Sequence, residues 1–336
     1  MIAEGLDSFE DISEMAVMGF IEVINRIYFF KKLINIIIEK INYYEPIQII
    51  LIDYPGFNLT LAKKIKFFFN IPITYYISPQ IWAWKENRIK IIKKYIDQML
   101  VIFPFEEIWY KNRGVNAIFV GHPIFDNWKK SSREELCEIL DLDSKNYIVV
   151  LYPGSRLQEI KKHLSIMIQA AVKLKSDDRS IQFILGASNE INWDQWIIPE
   201  WIKIEDNNPQ KALECADIAM IASGTSTVEA AVFGTPMIII YKMAQLSWIL
   251  SKVLVNVKYA GMVNIISDKE VVPELLQDNA TSNNLYNILS SLKNNNELLD
   301  KMKKDLLNVK SQLKGDFASQ NAAHYIMDLS YNFEKN

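Results

Sequence analysis

Ala216-Asp217-Ile218-Ala219-Met220-Ile221-Ala222-Ser223-Gly224-Thr225-Ser226-Thr227-Val228-Glu229-Ala230-Ala231 reads as a strand that runs through a turn of small residues into a helix. The apolar run ends at Ile221, and hydroxyl side chains surround Gly224 where the helix should begin. A helix N-terminus presents unpaired N–H groups and a partial positive charge, which suits a diphosphate. Glu229 falls one turn inside, where a carboxylate can grip ribose hydroxyls. The same residues could instead form a capping box, with Ser226 or Thr225 as the cap and Glu229 near N3, with no ligand at all.

Strand-then-helix units of this kind recur along the chain. Short apolar runs rich in β-branched residues stand at 47–52, 73–77, 98–103, 117–120, 147–152, 181–185, 217–221 and 236–240. Between them the apolar period is helical, as in Leu157, Ile160, Leu164, Met167, Ala171 and Leu174. Such alternation predicts βαβ units and parallel sheets in an α/β fold. At 336 residues the chain exceeds the usual size of a single core, so two domains are expected. The polar stretch Asp141-Leu142-Asp143-Ser144-Lys145-Asn146 is the best boundary, giving domains of 1–145 and 146–312, with a last helix in 313–336. From Ser282 onward the pattern is wholly helical.

Composition narrows the function. Lys and Arg number 37 against 40 Asp and Glu, a net charge of −3, so no basic excess points to nucleic acid. Cys137 and Cys215 lie far apart without metal-type spacing and read as buried thiols of a reducing compartment, and His122, His163 and His324 are too scattered for a zinc site. No run of apolar residues is long enough to span a membrane, and the opening Met1-Ile2-Ala3-Glu4-Gly5-Leu6-Asp7 lacks a basic leader. A cytosolic chain, or one resting on a membrane from the cytosolic side, is expected. The stretch Arg26–Ile37 mixes aromatic, aliphatic and cationic residues, as an interfacial helix would; an ordinary packed helix with solvated lysines would look much the same.

Chemistry-bearing residues gather at the predicted strand ends. The run Ile47–Ile52 ends in Asp53-Tyr54-Pro55-Gly56-Phe57-Asn58, and the run Ile71–Ile77 ends in Ser78-Pro79-Gln80-Ile81-Trp82-Ala83-Trp84. A loop at a strand end gains nothing by showing indoles to water, so Trp82 and Trp84 are either buried or built to meet a ligand. In open α/β sheets ligands bind at that edge. Asp53 is the best general-base residue, and partial burial would tune it for that work; an Asx-turn is the plainer alternative. In Tyr147–Arg156, Gly154 lets backbone approach a ligand, Ser155 can cap the following helix, and Arg156 offers a fork for phosphate. A plain cap with a surface arginine reads as well. His122, in Gly121-His122-Pro123, either contacts sugar or phosphate or closes a turn on the backbone.

Taken together these motifs resemble the lipid-A-disaccharide synthase family, inverting glycosyltransferases with the two-domain GT-B fold. The matching residues are Glu14–Val23, Ile52–Asn58, Ser78–Trp84, Phe103-Pro104-Phe105-Glu106, Gly121-His122-Pro123, Pro153-Gly154-Ser155-Arg156, Ala222–Thr225 with Glu229, Tyr241-Lys242-Met243 and Asn264, in the family's order over nearly the whole chain. The departure is at the front: the family's opening strand and glycine-rich turn have no counterpart, a unit of roughly 30 residues. The chain resembles the family minus its first strand–turn–helix unit. An upstream in-frame continuation, or a truncated chain that binds UDP-sugar without turnover, are the expectations this raises. Another UDP-N-acetylglucosamine-using GT-B enzyme is the remaining alternative, against which the aromatic loop argues.

The resemblance implies transfer of 2,3-diacylglucosamine from UDP-2,3-diacylglucosamine to 2,3-diacylglucosamine 1-phosphate, with inversion. It implies Asp53 as the base and Gly154, Ser155, Arg156, Ser223, Gly224, Thr225, Glu229 and Asn264 as UDP-sugar residues. Asn58, Ser78, Trp82, Trp84 and His122 fall to the acceptor and its acyl chains. No metal or cofactor is implied. The partners implied are the two lipid sugars and the cytoplasmic face of the bacterial inner membrane, with a homodimer allowed and nucleic acid excluded. The final helix is expected to pack back on the first domain.

Overall fold

The apolar runs assemble into two parallel sheets. The structure is a computed structural model that describes residues 20–243, 248, 257–315 and 317–334. The opening acidic segment and Glu14–Gly19 of the family-like stretch lie outside the described residues, as do the side chains of 20–28. After α1 (Phe20–Tyr44) come β1 (Ile49–Ile52), α2 (Pro55–Phe68), β2 (Ile73–Tyr76), α3 (Ile89–Tyr95), β3 (Gln98–Val101), α4 (Pro104–Lys111) and β4 (Ala117–Phe119). These strands form a four-stranded sheet in sequence order, with Ile49 opposite Ile73, Thr74 opposite Gln98 and Met99 opposite Ala117. α1 buries Leu33, Ile34 and Ile41 and exposes Lys31 and Lys32, the pattern of a helix packed on one side.

Two short helices, α5 (Ile124–Asn127) and α6 (Arg133–Ile139), lead to the second sheet. It comprises β5 (Ile148–Tyr152), β6 (Gln182–Gly186), β7 (Ile202–Glu205), β8 (Ile218–Ala222), β9 (Met237–Tyr241) and β10 (Glu274–Leu276), joined by α7 (Leu157–Asp177), α8 (Pro209–Cys215) and α9 (Ser226–Phe233) among others. The strand order is β10-β9-β8-β5-β6-β7, so the winding reverses between β5 and β8. A crevice opens where connections leave adjacent strands in opposite directions, and ligands bind there. β5 and β8 are buried on both faces, which explains their unbroken Ile-Val-Val-Leu and Ile-Ala-Met-Ile runs. The strands that periodicity did not reveal, β7 and β10, are short edge strands carrying Lys203, Glu205 and Glu274.

The chain returns to the first sheet at its end. Two backbones cross where Gly121, at φ 94°, faces Gly315; a Cβ on Gly121 would lie 2.7 Å from the Gly315 carbonyl oxygen. Beyond the crossing, helix Ala318–Glu334 lays Ala322 against Leu100 and Val120. Ser319 N–H donates to Asp126 at 2.8 Å, Asn321 donates to the Val120 carbonyl at 3.1 Å, and Ser330 bonds Gln48. Among the described residues no helix is long and apolar enough to cross a membrane.

Candidate active site

The carboxyl ends of β1 and β2 form the first rim. Asp53 and Tyr54 follow β1 with φ of 45° and 41°, two consecutive non-glycine residues in the left-handed region. Aspartate tolerates that region; tyrosine does so only when its surroundings impose it. Asn58, in the first turn of α2, supplies the constraint by donating to the carbonyls of Ile52 (2.9 Å) and Asp53 (2.7 Å). The Tyr75 hydroxyl donates to the same Asp53 carbonyl. Asn58 is therefore a buried brace of the turn rather than a group open to a ligand. Asp53 itself is exposed, so the partial burial expected of it is absent, and no hydrogen bond holds its carboxylate among the described residues. The Asx-turn alternative is not what forms.

Beyond β2, Ile77 has φ 62°, a conformation that a β-branched side chain seldom takes. It aims the loop 78–84 under α4. Trp82 is only 8% exposed, and its indole N–H donates to Glu106 Oε1 at 2.9 Å, with Phe105 edge-on at 5.0 Å. Tyr110 donates to the Pro79 carbonyl at 2.8 Å, and Ser78 is buried. Trp84 is the indole that stays in water, 45% exposed beneath the Lys85 ammonium. Trp82, Gln80 and Ala83 still line a cavity of about 450 Å³ shared with Ser223, Tyr241 and Tyr259 of the second unit.

The second rim lies at the winding reversal. Gly154 has φ 111°, and a Cβ there would lie 2.4 Å from Glu159 Oε2, so both the turn and the space require glycine. The helix cap is Arg156 rather than Ser155, which is exposed. Glu159 reaches back to the Arg156 N–H at 3.4 Å and pairs with its guanidinium at 3.3 Å. With the Arg156 side chain 73% exposed, that pair is weak and leaves the fork available. Behind the turn, His163 ties Pro153 to the end of β9: its Nδ1 donates to the Pro153 carbonyl and its Nε2 accepts from Lys242 N–H, each at 3.0 Å. Burial lowers its pKa, consistent with this neutral bracket.

At the β8–α9 turn, Ser223 Oγ donates to the Ala260 carbonyl at 2.8 Å and Thr227 Oγ1 to Gly224 at 2.7 Å. The backbone N–H groups of Gly224, Thr225 and Ser226 have no partner among the described residues, the arrangement that receives an anion. No capping box forms. Glu229 instead accepts from Gln210 Nε2 at 2.9 Å, and burial raises its pKa. A cavity of about 440 Å³ joins Gly154, Ser155, Asn208, Gln210, Thr225 and Glu229. A neighbouring one of about 550 Å³ carries Thr225 and Glu229 across to His122 and Lys129. His122 closes its turn on the backbone, Nδ1 accepting from Ile124 N–H at 3.3 Å, and burial pushes it down to about 4.

Asn264 does not join this group. It is fully buried, donating to the Val272 carbonyl and Glu274 at 2.9 and 2.8 Å and accepting from Val271 and Val272 N–H at 2.7 and 3.0 Å. Every polar position of its amide is used, so it shapes the segment behind Ser223 and has nothing left for a ligand. Residues that sequence reading passed over include Glu106, Glu159, Gln210, Tyr75 and His163. Only Glu106 carried a signal, the Phe103-Pro104-Phe105-Glu106 match.

The family model for lipid-A-disaccharide synthetase matches residues 1–328. A lipid-A-disaccharide synthase of Coxiella burnetii is 37% identical over 331 residues, 97% of this chain and 88% of the relative. Among solved structures, a putative UDP-N-acetylglucosamine 2-epimerase from Listeria monocytogenes superposes with a TM-score of 0.60 at 12% identity, over 91% of this chain and 80% of the other. The calicheamicin glycosyltransferase does so with a TM-score of 0.52 at 11% identity, over 88% and 79%. These distant likenesses show the fold, which is GT-B. The match over almost the whole length shows more: the chain belongs to the lipid-A-disaccharide synthetase family, a family of glycosyltransferases.

Proposed function

We propose that this chain transfers 2,3-diacylglucosamine from UDP-2,3-diacylglucosamine to 2,3-diacylglucosamine 1-phosphate, giving the β(1→6) disaccharide 1-phosphate and UDP. The observation that carries the reading is the pairing of two rims. One offers three backbone N–H groups without a partner among the described residues, next to an exposed guanidinium. The other offers an exposed carboxylate on a braced turn, at the end of the strand that pairs with β2, whose following loop puts Trp82 on the shared cavity. In this reading residues 146–312 hold the UDP-sugar and residues 1–145 the acceptor, with the last helix spanning back.

Asp53 takes the proton from the acceptor's 6-hydroxyl as that oxygen attacks the anomeric carbon. The bond from that carbon to the diphosphate oxygen breaks, UDP leaves with the electron pair, and a single displacement inverts the centre. Arg156 and the α9 N-terminus stabilise the charge that grows on the leaving diphosphate. Glu229, polarised by Gln210, grips the ribose hydroxyls. The acyl chains lie along Trp82 and the neighbouring apolar wall, and the enzyme works on the cytoplasmic face of the inner membrane, where such lipids reside. Purified protein in detergent, given both lipid sugars, is expected to release UDP and one product whose mass is that of donor plus acceptor less UDP. UDP binding without any such product from these substrates would overturn the reading.

A further inference from the structure

The carboxyl of Glu106 is 1% exposed, deep beneath the aromatic loop, and plays no part in the chemistry above. Its Oε1 accepts the Trp82 indole N–H, while Oε2 and the neighbouring Ser78 Oγ are buried without a hydrogen-bond partner. Among the described residues no cation pairs with it. A deeply buried carboxyl whose neighbours are all neutral groups is costly to keep ionised, so burial favours the protonated form. We propose that Glu106 is a positioning residue: through its one bond to Trp82 it sets the 78–84 loop, and thereby the wall of the cleft that receives the acceptor. The acceptor assignment rests on the function proposed above.

Two observations outside that bond support the role. Tyr110, on the same helix, holds the Pro79 carbonyl, so α4 grips the loop at two points one turn apart. The loop also begins at Ile77, whose strained φ of 62° must be maintained from outside the segment. Burial pushes the Glu106 carboxyl up to about 7, against the Trp82 indole, the Ser78 hydroxyl and the Phe103 backbone, which favour the charge. The other titratable groups facing it are Tyr110 and, beyond that ring, Tyr75 of β2; burial raises both phenols, so they stay neutral across this range. Because the folded value lies above the unfolded one, the hold on the loop is complete below the ordinary carboxylate range. It weakens as pH rises through about 7, because the ionised carboxyl, though a good acceptor for the indole, is costly to keep buried and favours an opened loop that lets water reach it.

The test is amide hydrogen exchange of residues 78–84 in the full chain, at about pH 5.5 and about pH 8.5, corrected for intrinsic chemistry. In the native protein, loop protection is expected to fall about tenfold between the two. Glu106→Gln, neutral at every pH and still an acceptor, keeps the loop protected at both; Glu106→Ala leaves it open at both. In turnover assays Glu106→Ala raises the acceptor KM about tenfold and Glu106→Gln restores it, with the UDP Kd unchanged in both. Glu106→Gln retaining the native pH dependence of exchange, or Glu106→Ala with native protection and acceptor KM, would overturn the proposal. If Glu106→Ala does not fold, the comparison of Glu106→Gln with the native chain still decides. Exchange needs no substrate, so failure of the proposed reaction with these lipid sugars is seen separately.

Discussion

The two rims of the cleft are built by opposite means. The second rim relies on backbone and on residues that suit it: glycine where φ is 111°, a helix start with free N–H groups, and small hydroxyl residues between. At the first rim Asp53, Tyr54 and Ile77 are forced into the left-handed region, at a cost on the order of 1–3 kcal/mol each. Buried side chains secure the segments around them: Asn58 and Tyr75 donate to the Asp53 carbonyl, while Glu106 and Tyr110 hold Trp82 and the Pro79 carbonyl just past Ile77. A diphosphate is recognised by charge and N–H direction, which any relaxed strand–turn–helix supplies. A base presented to a hydroxyl needs one placement, and strain secured from behind supplies that. Changes at the first rim should therefore strike rate or acceptor KM with UDP affinity native, and changes at the second should strike UDP affinity.

The sharpest way to break that division is Asp53→Ala. Loss of a general base is expected to lower kcat by about 10²–10⁴ with the UDP Kd unchanged, measured by turnover and by calorimetry on one preparation. A comparable loss of UDP affinity would mean the first rim also holds the nucleotide. Next in size is Arg156→Ala. Its weak pair with Glu159 leaves the guanidinium free to meet phosphate, so UDP should bind about 10- to 100-fold more weakly. A change in kcat with native UDP affinity would assign the arginine to the transition state alone.

The same contrast explains what the sequence made legible. The strands of the second sheet's core stood out because burial on both faces demands unbroken apolar runs, and the Ser223–Thr225 turn because a helix start has a local signature. Edge strands β7 and β10 escaped notice, since a half-exposed strand of a few residues carrying Lys203, Glu205 or Glu274 leaves no pattern. Ser155 looked like a cap, yet the cap fell to Arg156 because Glu159 reaches back to its N–H. The Asp53 turn was visible as a motif, but the Tyr75 and Asn58 braces join it only in three dimensions. Asn264 looked like a ligand residue for the same reason: its environment, full of backbone partners, is a property of the fold.

Asn264→Ala therefore sharpens the comparison within the second unit. Removing an amide with four bonds leaves buried N–H and carbonyl groups unpaired, each worth about 1–3 kcal/mol. The expected result is a lower urea midpoint, with UDP affinity close to native in the fraction that remains folded. Weaker UDP binding at full stability would return Asn264 to the nucleotide site.

Tyr75→Phe has the smallest expected effect and is the finest probe of the strained rim. The phenol is fully buried, and burial raises its pKa, so its O–H remains a donor to the Asp53 carbonyl throughout the working pH range. Removing the hydroxyl leaves that carbonyl with the Asn58 amide alone. A single neutral hydrogen bond contributes about 1 kcal/mol, so kcat should fall about fivefold while UDP affinity stays native. The direction separates two accounts of the turn. If the bond merely stabilises the fold, the variant loses thermal stability and keeps native kcat once folded. If it fixes Asp53 in the left-handed conformation, kcat falls even in the fully folded protein, because the carboxylate then divides its time between aimed and relaxed positions.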